Sequence, residues 1–257
     1  MSKNIFDIQN KIVAITGGSG FLGKYIIPAL TDAGAIVYNL DIKDYFKNDS
    51  LKNYHYIHSD FKNLDSFEIA QNNITDQHKK LDAWINCAYP INEDFGKNLS
   101  DTNSKSFREN VDLHLNGYAW TSRNAAEFMK KQGYGSIINF GSIYGMLGPN
   151  NKIYQNTPIS GMPAEYAIIK GGIINFTRFL AAEYGPSNVR VNTLSPGGFN
   201  DGIKHDNQFI ENYSQYTPMQ RMGNVDEIFG PLIFLISDAS SYVQGHNLVV
   251  DGGWSII

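Results

Sequence analysis

Residues 11–34 read as a strand, a glycine-rich turn and a helix in immediate succession. Lys11–Thr16 (KIVAIT) is a continuous apolar run of the kind buried on both faces of a sheet, and Thr16-Gly17-Gly18-Ser19-Gly20-Phe21-Leu22-Gly23 follows it. The helix predicted from Phe21 to about Ala33 ends at Gly34, with Pro28 inside it as a potential kink. Glycines let the chain turn tightly and bring backbone N–H groups to an anion, and the helix N-terminus adds partial positive charge. A P-loop lysine followed by Ser or Thr is missing after the glycines, which disfavours nucleotide hydrolysis.

The alternation continues. Strands are predicted at 35–40, 54–58, 81–86, 136–140, 189–194 and 246–250, and helices at about 64–77, 104–131, 163–184 and 226–237. Such alternation predicts an α/β fold: a Rossmann-like, doubly wound, mostly parallel seven-stranded sheet with helices on both faces. No Pro/Gly/Ser-rich linker divides the 257 residues, so one domain over 1–257 is expected. A charged content of 18% against 42% apolar residues excludes a disordered chain, and a net charge of −4 with scattered Lys and Arg argues against a nucleic-acid partner. The single cysteine, Cys87, excludes a disulfide framework and a Cys-rich metal site, and no metal is expected. No stretch reaches the roughly 18 apolar residues of a membrane span, and MSKNIFDIQNK lacks a signal-peptide pattern, so a soluble cytoplasmic protein with no membrane partner is expected.

Asp41 closes the second strand, 18 residues beyond Gly23. An acid there suits the adenosine ribose hydroxyls and repels a 2′-phosphate, which favours NAD over NADP; Lys43 nearby softens that exclusion. Tyr166 and Lys170 lie four residues apart on a predicted helix, hence on one face, where an ammonium would pull a phenol's pKa down from about 10. With 15 tyrosines and 16 lysines, about one such pair arises by chance, so its weight comes from following the fifth strand. Ser142 stands at the carboxyl end of that strand, where open α/β sheets bind ligands. Gly141-Ser142-Ile143-Tyr144-Gly145 lacks the spacing of a nucleophile elbow, which excludes a serine hydrolase.

Taken with Asp60 and Phe61 of the Ser-Asp-Phe segment, Asn86-Cys87-Ala88, Ser195-Pro196-Gly197-Gly198, Arg221-Met222-Gly223 and Val250-Asp251-Gly252-Gly253, the chain resembles the short-chain dehydrogenase/reductase family along nearly its whole length. The resemblance implies hydride transfer between a nicotinamide and an alcohol/carbonyl pair. Tyr166 would exchange the proton, Lys170 would hold the nicotinamide ribose, and Ser142 would orient the reacting oxygen. The implied cofactor-binding set is Thr16, Gly17, Ser19, Gly20, Phe21, Leu22, Gly23, Asp41, Asp60, Phe61, Asn86, Ala88, Tyr166, Lys170, Pro196 and Gly197. Asp60 would contact adenine and Asn86 would line the cofactor groove. A homotetramer or homodimer is implied as well.

The chain departs from the family pattern at four places. Phe21 stands where the shorter, single-domain branch has a glycine, giving the turn of the longer, extended branch. Tyr89-Pro90 replaces the glycine that usually closes Asn-Asn-Ala-Gly. His114 occupies the position of the family's catalytic Asn, where it could hold a relay water or transfer protons itself; Asn116 lies about 200° away around the helix. Ser142 and Tyr166 are 24 residues apart, roughly twice the usual spacing, through an insertion rich in Asn, Gln, Thr and Tyr. A substrate loop is therefore expected at about 145–162 and a lid at about 199–217. Amide groups beside aromatic rings suit a hydroxyl-rich ligand. The segment 140–157 with Glu165–Gly172 resembles a subgroup associated with flagellin modification and nonulosonic-acid sugars, implying a sugar or amino-sugar, or its phosphate, as substrate. The alternatives are a 3-oxoacyl-thioester or generic carbonyl reductase, sugar epimerase or dehydratase chemistry, and a catalytically silent NAD-binding regulator.

Overall fold

The computed structural model describes residues 4–47, 50–159, 161–203 and 205–257. Residue 160 of the expected substrate loop, residue 204 of the expected lid and the first three residues lie outside the described set. Seven parallel strands form one sheet in the order β3-β2-β1-β4-β5-β6-β9. Their bounds are Ile12–Thr16 (β1), Ile36–Asp41 (β2), Tyr54–His58 (β3), Ala83–Asn86 (β4), Gly135–Phe140 (β5), Val189–Pro196 (β6) and Asn247–Val250 (β9). The two-residue strands Phe199–Asn200 (β7) and Gly223–Asn224 (β8) pair apart from the sheet. The helices are Gly23–Asp32 (α1), Asp65–His78 (α2), Ser104–Val111 (α3), Gly117–Gln132 (α4), Ala164–Tyr184 (α5), Asn207–Gln215 (α6) and Phe229–Ile236 (α7).

Every residue of β1, β4 and β5 is buried, because both faces of the central strands are covered by helices. One apolar cluster joins Ile12, Ala14 and Trp84 to α2, α4 and α5; the other joins Val13, Ile15 and Ile85 to α1 and α7. Strand order reverses between β1 and β4, which opens a crevice at their carboxyl ends. Gly17, at that end of β1, has φ +72, and a Cβ there would stand 2.2 Å from the Ala88 Cα. Only glycine lets the first turn approach the end of β4 so closely.

One sequence expectation needs correction. The helix expected over 104–131 is two helices separated by a π-helical turn at Asp112–Asn116. Within the inserted segment, Asn150 caps a short 3₁₀ turn at Asn151–Tyr154 by accepting from the Lys152 N–H at 3.1 Å. Within the expected lid, Asp206 caps α6 through the Phe209 N–H at 3.0 Å. Helix α1 passes through Pro28 without a break.

Candidate active site

A cavity of about 1060 Å³ runs along the carboxyl ends of the strands. One end is bounded by Asp41, Lys43, Asp60, Phe61 and Lys62, the middle by Gly17, Ser19, Gly20, Phe21, Leu22 and Ala88, and the other end by Ser142, Tyr166, Lys170, Pro196 and Gly197. Asp41 accepts from the Ser19 N–H at 3.0 Å and the Lys43 N–H at 3.3 Å, so the acid that ends β2 also fixes the glycine turn. Asp60 accepts from the Lys62 N–H at 2.9 Å. Phe61 packs on Phe67, with ring centroids 4.4 Å apart, and shows only an edge to the cavity.

Four predicted residues do not line this cavity. Thr16 and Asn86 turn into the core. Asn86 donates to Ser122 Oγ at 2.8 Å and Asn139 Oδ1 at 2.9 Å, and accepts from Trp84 Nε1 at 2.9 Å and Thr121 Oγ1 at 3.0 Å. A polar side chain buried between β4, α4 and β5 must satisfy its amide there, which corrects the expectation that it faces the cofactor groove. Gly23 packs the start of α1 on the turn, where a Cβ would meet the Gly17 carbonyl oxygen at 2.5 Å. His114 is fully buried behind the cavity wall, while Asn116 faces outward and donates to Asp112 at 2.8 Å.

At the far end, Ser142 stands two residues beyond β5 in extended backbone, its hydroxyl accepting from the Tyr144 N–H at 3.2 Å. Helix α5 carries Tyr166 in its first turn and Lys170 one turn later. The Lys170 ammonium donates to the Phe140 carbonyl at 2.7 Å, lies 3.3 Å from His114 Nε2, and sits 5.6 Å from the Tyr166 ring centroid. Burial pulls Lys170 down to about 7. Burial pushes the Tyr166 phenol up to about 12, against a lowering hydrogen bond with Ser142. Lys170, whose ammonium is directed at the Phe140 carbonyl, is not among the influences on the phenol, where desolvation dominates. Burial, with Lys170 beside it, holds His114 well below its ordinary 6.5, so the imidazole is neutral.

The sequence pairs amide groups with aromatic rings at the substrate end, and the structure brings the rings there. Tyr89, Tyr144, Tyr154, Phe209 and Tyr213 all line the cavity. The inserted stretch contributes Tyr154 and Ile159 but none of its amide side chains: Asn150 caps a turn, and Asn212 of α6 holds the Ile153 and Gln155 carbonyls at 3.2 and 2.9 Å. The tyrosines were visible in the insertion and at the altered Asn-x-Ala position, but composition does not distinguish an inward ring from an outward amide.

The family profile described as enoyl-(acyl carrier protein) reductase matches residues 22–255. The chain belongs to the short-chain dehydrogenase/reductase family. It is 33% identical over 258 residues to the post-translational flagellin modification protein A of Campylobacter coli, covering 97% of this chain and 100% of that one. It is 32% identical to a probable NADP-dependent mannitol dehydrogenase of Yarrowia lipolytica, covering 99% and 92%. A short-chain dehydrogenase from Leptospira borgpetersenii with bound NAD⁺ superposes with a TM-score of 0.89 at 35% identity, covering 99% of this chain and 97% of that one. As a short-chain dehydrogenase/reductase, the protein is an NAD(P)-dependent oxidoreductase acting on alcohols or ketones. The cavity fits a dinucleotide: a glycine-rich turn lies between an end bounded by Asp41 and Asp60 and an end that carries a phenol and a lysine. Among the described residues, no helix is long and apolar enough to cross a membrane.

Proposed function

We propose that this enzyme works with NAD in preference to NADP and interconverts an alcohol and a ketone on a sugar or amino-sugar in surface-glycan or flagellin-modification biosynthesis. The observation that carries the reading is that Ser142, Tyr166 and Lys170 face one cavity whose opposite end is closed by Asp41. A nicotinamide held along this cavity would supply or accept the hydride. Tyr166 is the proton donor in reduction: a phenol held up to about 12 is protonated near neutral pH and can pass its proton to a forming alkoxide. Ser142 orients the reacting oxygen and shares a hydrogen bond with the phenol. Lys170 places positive charge beside the phenol when protonated. His114 acts as a positioning residue, since its Nε2 meets the lysine ammonium and its ring does not reach the cavity. The flagellin modification and mannitol dehydrogenase relatives support a hydroxyl-rich substrate. Asp41 supports NAD, because a 2′-phosphate beside its carboxylate meets like charge. A cytoplasmic homodimer or homotetramer completes the reading.

One observation favours a second reading, a 3-oxoacyl-thioester reductase: the matching family profile carries an acyl carrier protein description. Nicotinamide absorbance, followed with NADH and NADPH against sugars and short 3-oxoacyl thioesters, separates the two. Tyr166→Phe is expected to cut turnover by about 10²-fold or more while NADH binding, read by fluorescence, persists. Turnover that survives the change would overturn the tyrosine's role, and a native protein that binds NADH without any turnover would be a silent regulator.

A further inference from the structure

The substrate end of the cavity is built from ring faces rather than from charges. Tyr89 is 48% exposed and stands over the reacting groups, its ring 5.6 Å from that of Tyr166 and 5.4 Å from that of His114. Across from it, the Tyr144 and Tyr154 hydroxyls meet at 3.3 Å, and Tyr154 leans on Phe209 with ring centroids 5.9 Å apart. Tyr213 closes the floor, stacked on Trp254 at 4.4 Å with its hydroxyl accepting from the Gly198 N–H at 2.6 Å.

These walls are held by other elements. The Asn92 N–H donates to Asn110 Oδ1 at 2.9 Å, and Asn110 Nδ2 donates to Glu165 Oε1 at 3.3 Å. That chain pins the segment carrying Tyr89 to α3 and to the first turn of α5. Glu165 is almost fully buried and its second carboxylate oxygen has no hydrogen-bond partner.

Among the described residues lining this end, the only Lys or Arg is Lys170, already donating to the Phe140 carbonyl. A phosphate or carboxylate brought here would lose its hydration and find only two cation candidates, Lys170, whose ammonium is turned to the Phe140 carbonyl, and the His205 imidazole, stacked on Phe209 at 5.0 Å, so the penalty is heavy. A hydroxylated ring loses much less. Its C–H faces pack on tyrosine rings, and its hydroxyls meet phenols that burial keeps protonated.

We infer that the site selects an uncharged, hydroxyl-bearing ring and discriminates against its phosphorylated counterpart, with Tyr89 as the specificity-determining wall. The inference rests on the sugar reading above and narrows it.

Its test uses the full chain with NAD⁺ or NADH and matched probes that differ only in a phosphate: mannitol and mannitol 1-phosphate, fructose and fructose 6-phosphate, N-acetylmannosamine and its 6-phosphate. Acetoacetyl-coenzyme A serves as the thioester control. Two readouts are taken: kcat/KM, and the rise in Tm of the NADH-saturated protein on adding each probe. The uncharged member of a pair is expected to exceed its phosphate by about tenfold or more in kcat/KM, and alone to raise Tm. Tyr89→Ala is expected to raise KM for that probe by about fivefold to tenfold with kcat changed less than about twofold, and Tyr89→Phe to recover most of the loss by restoring the ring face. A preference for the phosphates, or a KM unmoved by Tyr89→Ala, overturns the inference and leaves the sugar reading standing. Turnover of the thioester alone, or no turnover and no stabilisation by any sugar probe, overturns the sugar reading and the inference together.

Discussion

Lys170 is asked to carry a charge in a place that opposes charge. Its side chain is buried, its ammonium has a carbonyl and a neutral imidazole for company, and burial lowers its pKa from 10.5 to about 7. The unfolded chain then binds a proton between pH 7 and 10.5 that the folded chain has released, so stability from this group rises with pH across that window. Below pH 7 both states are protonated and the cost of burying the charge is felt in full. Lys170→Met removes that cost. Its Tm relative to the native chain is expected to be most favourable below pH 7 and to lose ground steadily as pH approaches 10.5, with activity lost throughout; thermal melts across that range check it. A relative Tm independent of pH would place the lysine's titration outside the window. The spacing of Tyr166 and Lys170 was legible in the sequence because helical periodicity puts i and i+4 on one face. The direction of the tyrosine's pKa was not, because desolvation depends on what the fold packs around the phenol.

At the scale of elements, the π-helical turn at Asp112–Asn116 decides what its residues can reach. It carries His114 inward to Lys170 and the rings of Tyr89 and Tyr118, and it leaves Asn116 outside. An imidazole held well below 6.5 refuses a proton that the unfolded chain accepts, so stability from this group is lost as pH falls below about 6.5. His114→Asn is expected to flatten that acid limb in melts between pH 5 and 7 and to keep activity within about tenfold, because an amide can still accept from the lysine. His114→Leu offers Lys170 no acceptor and is expected to lower kcat further; equal rates for the leucine variant and the native enzyme would remove any positioning role. The π-helical turn rotates the helix face by about 100°, but helical spacing resumes directly on either side of it, so the sequence reads as one helix over 104–131. The inserted loop misled for a related reason. Asn and Gln are equally at home capping a turn, as Asn150 does, or facing a sugar, and only packing tells which.

The whole molecule presents apolar side chains on its two longest helices. Ile168 and Phe179 of α5 are 50% and 62% exposed and eleven residues apart, three helical turns and so on one stripe. Trp120 of α4 is 45% exposed. Covering such a stripe with a second copy removes apolar surface from water. Phe179→Asp is expected to reduce the mass seen by light scattering by about half or more while circular dichroism is unchanged. An unchanged mass would mean that no subunit contact lies on this stripe.

The sequence by itself determined the parallel sheet, the order of its strands and helices, the glycine turn, the acid at the end of β2, and the placement of Ser142, Tyr166 and Lys170. Each of these follows from local rules: apolar runs between covered faces, helical spacing, and a φ that only glycine adopts freely. The tertiary structure alone decided that Asn86 is a core strut, that His114 touches Lys170 from behind, and that tyrosines rather than amides wall the substrate end. Those outcomes depend on contacts between segments distant in the chain, where burial and hydrogen-bond satisfaction act on the assembled interior and leave no periodic mark in the sequence.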